Sequence, residues 1–387
     1  MKNQDSKTVI KFSAWGSQSE IEYLLPLIEH FEQENPDIKI EFLHIPQNYF
    51  QKLHLLFASK LAPDVVFVNN HYFIKYVNAN LLEDLSKYID KSKYFSQSID
   101  CFTVNNKIYA IPRDISNLVV YYNKNLFDKY NINYPNNNWT HYDYVNIANS
   151  FHKNGIWGVG YETDTMFLLP FLLSNDGGIF NENLTGFILN KKETLETIDW
   201  YSDLANKYNI APKKSDSANL TMAQLFLQEK IAMHVSGRWL VPKYRKDAKF
   251  DWDIIQLPKG KKGSITSIDS SGYALSASSR HKKEAIRFIL YISSKNSLEK
   301  LTQSGLIVPA IKDIAYSETF INRKLKPENA QAFIDIIDNG KPTPVNSNYQ
   351  KIIEIINKAL EPVFLGKIKA REAISDELLN ELKQYAN

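Results

Sequence analysis

Residues 8–68 read TVIKFSAWGSQSEIEYLLPLIEHFEQENPDIKIEFLHIPQNYFQKLHLLFASKLAPDVVFV, a stretch in which strand and helix patterns alternate. The pattern predicts strands over 8–13, 38–45 and 65–68, and helices over about 20–34 and 50–60. The first helix has its apolar residues on one face, and Asn35-Pro36 ends it. VVFV is a continuous apolar run, which is typical of a strand covered on both faces. The β-α-β-α-β order therefore indicates an α/β unit built on a mostly parallel sheet.

The rest of the chain continues this mixture of strands and helices. We predict strands over 118–123, 232–237 and 272–277, and helices over 195–208 and 281–293. Residues 348–387 are largely helical in pattern, with breaks expected at Pro362 and Gly366. The chain has 387 residues, which exceeds the size at which a single hydrophobic core stops growing. Because no long flexible linker interrupts it, we expect two lobes joined by several short crossings.

Composition excludes several classes of partner. The formal net charge is +3, from 46 basic and 43 acidic residues. That balance gives no long-range field to steer a polyanion, so nucleic acid is not an expected partner. Cys101 is the one cysteine, and a single thiol forms neither an internal disulfide nor a cysteine-based zinc site. No stretch approaches 18 apolar residues, and the polar N-terminus has no signal core, so the chain is expected to be cytosolic or a mature exported protein.

A search for standard catalytic motifs finds none. The sequence contains no HExxH, GxxxxGK[ST], GxGxxG or GxSxG pattern, and no Cys/His spacing that suggests a metal site. We therefore expect no catalytic residue, no metal and no cofactor. Carboxylates are plentiful, so a glycosidase pair stays open on counting alone.

Aromatic and polar residues recur in the loops next to the predicted strands. Ligands of open α/β sheets bind beyond the carboxyl ends of the strands. A pyranose needs an aromatic ring for its apolar face and hydrogen-bonding groups for its hydroxyls. The candidate residues are Trp15, Ser17, Gln18, Gln47, Asn70, His71, Arg113, Asp114, Arg238, Trp239, Asp269 and Ser271. Each has a simpler alternative, such as a ring packed in the core, a histidine at a helix start or a local ion pair.

Ordered runs of motifs extend over almost the entire chain. They include LAPDVVFVNN, NNKIYAIPRDISNLVVYYNKNLFDKY, LPFLLSNDGGIF, EKIAMHVSGRW and GYALSASSRHKKEAIRF. Together these runs resemble the extracellular solute-binding proteins of ABC importers, in the maltose-binding-like class called family 1. The segments YAIP…YYNKNLF and GYALSASSRHKKEAIRF carry the resemblance most strongly.

The resemblance implies a two-lobed periplasmic-binding-protein-like fold of type II. In such a fold each lobe is a mostly parallel sheet flanked by helices, and three chain segments form the hinge. The expected N-terminal lobe comprises residues 1–112 and 270–310, and the expected C-terminal lobe comprises 113–269 and 311–387. The resemblance also implies a ligand buried in the cleft, no catalysis, a monomer, and export by a signal or lipid-anchored leader.

Site residues carried over by position extend the candidate set. Trp239 resembles the ring that stacks on a sugar, and Asn70 and His71 match loop positions that hydrogen-bond sugar hydroxyls. The further positions are Asp114, Ser116 and Asn117 at the first crossing, Thr165 and Phe167 in a cleft loop, and Asn346 and Tyr349 in a late loop. In maltose binders several acidic residues meet the sugar, whereas these positions read largely Asn, Gln, Ser and His. This departure argues against maltodextrin specificity and leaves the identity of the sugar open.

The expected function is capture of a mono- or oligosaccharide by hinge closure, for delivery to the membrane subunits of an ABC importer outside the cytoplasm. One alternative keeps the fold and changes the ligand. A glycerophosphodiester would use Arg113 or Arg238, and a polyamine would use Asp114 and Asp269. An alternative of another class is a carbohydrate-active enzyme, which would need a pair of carboxylates.

Overall fold

The computed structural model describes residues 7–217 and 219–386, so the polar start of the chain at residues 1–6 lies outside the described residues. The strands, in chain order, are β1 (Thr8–Ala14), β2 (Ile38–His44), β3 (Val65–Asn69), β4 (Thr103–Val104), β5 (Lys107–Ile108), β6 (Ile111–Ser116), β7 (Leu118–Asn123), β8 (Trp157–Val159), β9 (Ile231–Gly237), β10 (Trp252–Ile255), β11 (Ser267–Leu275), β12 (Val308–Pro309) and β13 (Lys341–Pro342).

The helices complete the element order. They are α1 (Gln18–Glu34), α2 (Tyr49–Ala58), α3 (Asn70–Asn78), α4 (Ser96–Asp100), α5 (Lys124–Lys129), α6 (His141–His152), α7 (Thr165–Ser174), α8 (Lys192–Asn206), α9 (Met222–Leu227), α10 (Val241–Asp247), α11 (Lys282–Ile292), α12 (Lys295–Gln303), α13 (Lys312–Ala315), α14 (Ala332–Asp335), α15 (Tyr349–Phe364), α16 (Ala370–Ala373) and α17 (Asp376–Lys383). Short 3-10 turns lie at Ser86–Tyr88, Lys91–Lys93 and Arg238–Leu240. Within the described residues, no helix is long and apolar enough to span a membrane.

The chain divides into two units. Unit 1 comprises Met1–Ser116 and Asp269–Phe320, and unit 2 comprises Asn117–Ile268 and Ile321–Asn387. The chain therefore passes from one unit to the other three times. The first and last passages lie later than the boundaries expected at 112 and 310, because β6 pairs within the sheet of unit 1 and α13 also belongs to unit 1.

The sheet of unit 1 has the strand order β12-β6-β11-β3-β1-β2. Strand β1 pairs in parallel with β2 and β3, as the alternating pattern predicts. Strand β11 is antiparallel to β3 and β6 because it enters the unit at the edge where β3 ends, with Ser271 opposite Asn69. Rings from the strands and helices of unit 1 form an aromatic core. Phe12 packs against Tyr273 and Phe288, and Phe31 packs against Phe288.

The main sheet of unit 2 has the strand order β10-β7-β9-β8. Strand β7 is antiparallel to β10 and β9, whereas β8 is parallel to β9. The expectation of mostly parallel sheets was therefore too simple, since antiparallel pairs occur in both units. The first two residues of β11, Ser267 and Ile268, pair with β13 inside unit 2.

One expected helix break is wrong. Pro362 lies inside α15, in its last turn, so it removes one backbone hydrogen bond without ending the helix. The helix ends at Phe364, and Gly366 follows with a φ of +70°. Lys367 N donates to the carbonyl of Pro362 at 2.9 Å, and Gly366 N donates to that of Val363 at 2.9 Å. This arrangement is a Schellman C-cap, in which the glycine supplies the left-handed residue.

Candidate functional site

In unit 1, three strands present candidate residues at one edge of the sheet. Trp15 follows β1 directly, Asn70 and His71 open α3 directly after β3, and Asp269 begins the part of β11 that belongs to this unit. Because β1 and β3 are parallel neighbours, their carboxyl ends meet at this edge. The antiparallel β11 brings its amino end to the same place.

Asp269 is the centre of a polar group formed by these strand ends. Its Oδ1 accepts a hydrogen bond from Asn70 Nδ2 at 2.9 Å and lies 2.7 Å from His71 Nε2. Asn70 also accepts from the backbone N–H of Ser270 at 3.1 Å, which fixes the amide orientation. The side chains of His71 and Asp269 are each 19% exposed, whereas Asn70 is buried. The arrangement holds a carboxylate and an imidazole in fixed positions with part of each open to solvent.

Trp15 is the aromatic member of the unit 1 candidates. Its ring stacks on Phe67 with centroids 4.1 Å apart and planes 29° apart. Tyr49 and Phe50, both in α2, lie at 5.1 and 5.2 Å from the same ring. The indole is half-buried, so the loop ring packs mainly on rings of α2 and β3 and keeps some surface exposed.

Arg113 and Asp114 form a buried ion pair with a third member that the sequence interpretation missed. Arg113 Nε donates to Asp114 Oδ2 at 2.8 Å, and Arg113 Nη1 donates to Glu20 Oε1. Burial alone would lower the pKa of Arg113, but Asp114 and Glu20 outweigh it and hold that pKa above its usual range. Burial raises the pKa of Asp114, and Arg113 opposes the rise. The guanidinium is therefore held by two carboxylates of its own unit.

The remaining unit 1 candidates either take part in hydrogen bonds or strand pairs of the backbone or are exposed. Ser17 is the N-cap of α1, and its Oγ accepts from Glu20 N at 3.3 Å. Ser271 N donates to Asp114 Oδ1 at 3.0 Å, and Ser116 pairs with Asp269 across the sheet. Gln18 and Gln47 are exposed.

In unit 2, Arg238 and Trp239 form a 3-10 turn directly after β9. Trp239 is 38% exposed, a high value for a tryptophan. Its ring folds back over Gly237, where an added Cβ would lie 1.9 Å from Trp239 Cζ3, so only glycine fits beneath the ring. Arg238 is buried with its guanidinium 5.4 Å from the ring centroid of Phe333. Burial, with a smaller contribution from the charge of Arg245, lowers the pKa of Arg238 to about 9.

The other unit 2 candidates are engaged in local structure. Asn117 Nδ2 donates to the carbonyl of Phe333 at 2.7 Å, and Asn346 Nδ2 donates to that of Tyr385 at 2.9 Å. The hydroxyl of Thr165 donates to Asn357 Oδ1. Phe167 packs partly buried against the core of unit 2, and Tyr349 lies within that core. Ligand contact by these five residues stays a prediction.

A cavity of about 620 Å³ lies within unit 2, and its lining residue Asn357 is the hydrogen-bond partner of the predicted residue Thr165. Tyr161 and Phe364 contribute rings to its lining, and Asn206 and Asn357 contribute amides. Four lysines lie around it: Lys213, Lys214, Lys358 and Lys367. Sequence interpretation missed this cavity because its lining comes from four separate segments with no shared motif.

Across residues 7–217 and 219–386, no group of three or more His, Cys, Asp or Glu side chains is arranged to hold a metal ion.

Comparisons with known proteins agree with this architecture. The model of the family described as bacterial extracellular solute-binding protein matches residues 26–328. A galactooligosaccharide-binding protein of Bacillus subtilis (strain 168) is 23% identical over 375 residues, covering 93% of this chain and 86% of that protein. A binding protein of Brucella abortus (strain 2308) is 24% identical over 357 residues, covering 89% of this chain and 85% of that protein.

A solved structure resembles the whole chain. The ABC substrate-binding protein Lmo0181 from Listeria monocytogenes, in complex with cycloalternan, superposes with a TM-score of 0.88. It is 27% identical, and the match covers 99% of this chain and 98% of that one. The expected two-lobed α/β fold class is thereby confirmed. Because the family model spans most of its length, the chain belongs to the bacterial extracellular solute-binding protein family.

Proposed function

We propose that this protein captures a neutral oligosaccharide outside the cytoplasm and passes it, chemically unchanged, to the membrane subunits of an ABC importer. The observation that carries the proposal is in unit 1. There, a half-buried tryptophan and an oriented Asp269–His71 pair occupy the carboxyl-end edge of the sheet. A ring face and fixed hydrogen-bonding groups are the two requirements of pyranose recognition.

The relatives support a saccharide ligand. A galactooligosaccharide-binding protein and a cycloalternan complex are among the proteins that this chain resembles over most of its length. We propose that Trp15, His71 and Asp269 in unit 1 and Trp239 in unit 2 contact the sugar directly. Trp239 supports this assignment because its ring lies exposed on a glycine, at the end of the central strand β9.

The charged alternatives fit less well. A phosphodiester needs an accessible cation, but Arg113 already donates to Glu20 and Asp114, and Arg238 is only 4% exposed. A polyamine carries several ammonium groups, but of the two candidate carboxylates Asp114 already pairs with Arg113. Transfer of the ligand rather than its hydrolysis is supported by the family, which is described as one of solute-binding proteins.

Several finer points stay predictions of the family resemblance. They are closure about the hinge, a monomeric state, and a mature form tethered by a lipid or released after export. A ligand that binds the closed conformation better than the open one would shift the population toward the closed form. The importer would then recognise that form.

A thermal-shift screen tests the proposal. The panel consists of cycloalternan, galactooligosaccharides, maltose, maltotriose and tagatose, with glycerophosphocholine and spermidine as charged comparators. A ligand at about a hundredfold excess over Kd stabilises the native state by roughly 2.7 kcal/mol. We expect a neutral saccharide to raise Tm and both charged comparators to leave it unchanged. A shift with a charged comparator alone would replace the saccharide assignment.

A further inference from the structure

Glu20 occupies an unusual position for a helix-start glutamate. It lies in the first turn of α1, three residues after the N-cap Ser17. In an S-x-x-E pattern the glutamate commonly turns back to the N-cap backbone. Here its carboxylate instead accepts from Arg113 Nη1, 93 residues further along the chain. Glu20 is only 8% exposed, so this carboxylate is buried within unit 1.

Gly16 provides the space for the Glu20 carboxylate. Its φ is +146°, a value that favours glycine. A Cβ built at Gly16 would lie 2.8 Å from Glu20 Oε2. The loop that carries Trp15 therefore packs closely against this side chain. A side chain added at Gly16 would displace the Glu20 carboxylate.

Through Arg113, Glu20 is connected to the ring stack of the proposed site. The Arg113 guanidinium lies 4.2 Å from the ring centroid of Phe67. Trp15 in turn stacks on Phe67 at 4.1 Å. A shift of the guanidinium would therefore move the ring that supports the tryptophan.

Through Asp114, the same cluster is connected to the polar group. Asp114 Oδ1 accepts from Ser271 N at 3.0 Å, and the Asp114 carbonyl accepts from Ser270 Oγ at 2.6 Å. Ser270 N donates to Asn70 Oδ1 at 3.1 Å, and Asn70 Nδ2 donates to Asp269 at 2.9 Å. The stacked rings of Trp15 and Phe67 and the polar group around Asp269 thus both depend on one buried cluster of three charges.

The charges in this cluster make Glu20 its most replaceable member. Glu20 and Asp114 contribute one negative charge each and Arg113 one positive charge, which leaves a net charge of −1. Removal of Arg113 would leave two uncompensated buried carboxylates, which is strongly destabilising. Removal of Asp114 would also break the hydrogen bond from Ser271 N. Removal of Glu20 leaves a neutral Arg113–Asp114 pair.

We propose that Glu20 is a positioning residue for ligand binding in unit 1. Its carboxylate touches no ligand. It fixes the Arg113 guanidinium, and through Arg113 it keeps Trp15 and Asp269 in fixed positions relative to each other. The inference rests on the proposed function for its ligand, although the position of Trp15 can be measured without one.

The test compares Glu20→Ala with Glu20→Gln. The alanine variant removes the acceptor for Arg113, whereas the glutamine variant retains an acceptor oxygen at the same place. Because the Glu20–Arg113 bond is present with and without ligand, its loss weakens binding only through the cost of re-ordering Trp15 and Asp269, which is up to about tenfold in Kd for one side chain. We therefore expect cycloalternan to bind up to about tenfold more weakly to Glu20→Ala, and Glu20→Gln to restore most of the affinity. In the ligand-free protein, the indole N–H resonance of Trp15 should shift in Glu20→Ala and return toward its original position in Glu20→Gln.

Glu32→Ala is the matched control. Glu32 lies in the same helix and accepts from Lys39 Nζ and Ile40 N, both at 2.8 Å, remote from the proposed site residues in sequence. It should lower Tm while leaving the Trp15 resonance and Kd unchanged. If Glu20→Ala does not fold, Glu20→Asp draws the same carboxylate back by one carbon and should shift the same resonance.

The outcomes separate the two proposals. An unchanged Trp15 resonance and an unchanged Kd in a folded Glu20→Ala variant would overturn the positioning role. If the wild-type protein binds no saccharide, the proposed function fails, and the Trp15 resonance in the ligand-free variants still decides the role of Glu20.

Discussion

His71 Nε2 lies 2.7 Å from Asp269 Oδ1, although the two residues are 198 positions apart in the chain. The contact joins the start of α3 to the start of the unit 1 part of β11. Asn70 donates to the same carboxylate oxygen, so the carboxylate is held from two sides. A carboxylate held in this way can accept hydroxyl hydrogen bonds from a ligand without first losing side-chain entropy.

Asp269→Asn should weaken saccharide binding. The substitution removes a charged acceptor, and a hydrogen bond to a charged group contributes roughly 1.5–3 kcal/mol. We expect Kd from isothermal titration to rise by about ten- to a hundredfold. Asp313→Asn is the control, because Asp313 is a 76% exposed carboxylate of the same unit. Equal affinities of Asp269→Asn and the wild-type protein would remove Asp269 from the site.

Trp239→Ala should abolish most of the saccharide-dependent thermal shift. The ring is 38% exposed, so its loss should cost the ligand-free protein little stability. Tyr142→Ala is the control, since Tyr142 is a 74% exposed ring of the same unit. A full thermal shift in Trp239→Ala would show that this ring does not contact the sugar.

Stability should fall as the pH is lowered from 7 to 5, because of two histidines in unit 2. Burial lowers the pKa of His141 to about 4 and that of His234 to about 3. Both are neutral when folded and take up protons when unfolded below about pH 6.5, so the unfolded chain binds more protons. The stability that these groups contribute is present above pH 6.5 and is lost as the pH falls. At pH 5 the loss is roughly 2 kcal/mol for each histidine.

Urea unfolding of the wild-type protein and His141→Gln at pH 7 and pH 5 measures this effect. The variant replaces a titrating ring with an amide that can still bond to Ser174 and Asn175, the present partners of His141. We expect its stability to depend less on pH than that of the wild-type protein. Identical pH dependence would mean that His141 does not titrate on unfolding.

Much of the fold of unit 1 could be predicted from sequence, because its signals are local. The run 8–68 has clear strand and helix periods, and the elements found there end within two residues of the expected bounds, as Thr8–Ala14 and Tyr49–Ala58 show. The antiparallel course of β11 could not be predicted from local patterns. It depends on where the chain returns from unit 2, which is a non-local property.

The candidate site was predictable in part for the same reason. Trp15 and His71 follow strands, so their place at a sheet edge follows from the strand prediction. Asp269 precedes the strand predicted at 272–277, but it lies inside β11, which begins at Ser267. The role of Glu20 could not be predicted, because its position fits an ordinary capping box and its partner Arg113 is 93 residues away. Asn357 was missed in the same way, since it holds Thr165 from a helix 192 residues distant.

Titration of the protein with cycloalternan and galactooligosaccharides, followed by mass spectrometry of the recovered sugar, tests the central claim most directly. The account predicts saturable binding of one saccharide molecule per chain and recovery of that saccharide at its original mass. Recovery of shorter sugars, or of ring-opened cycloalternan heavier by one water, would show hydrolysis. Absence of binding by every neutral saccharide would remove the proposed ligand class, and either result would contradict the account.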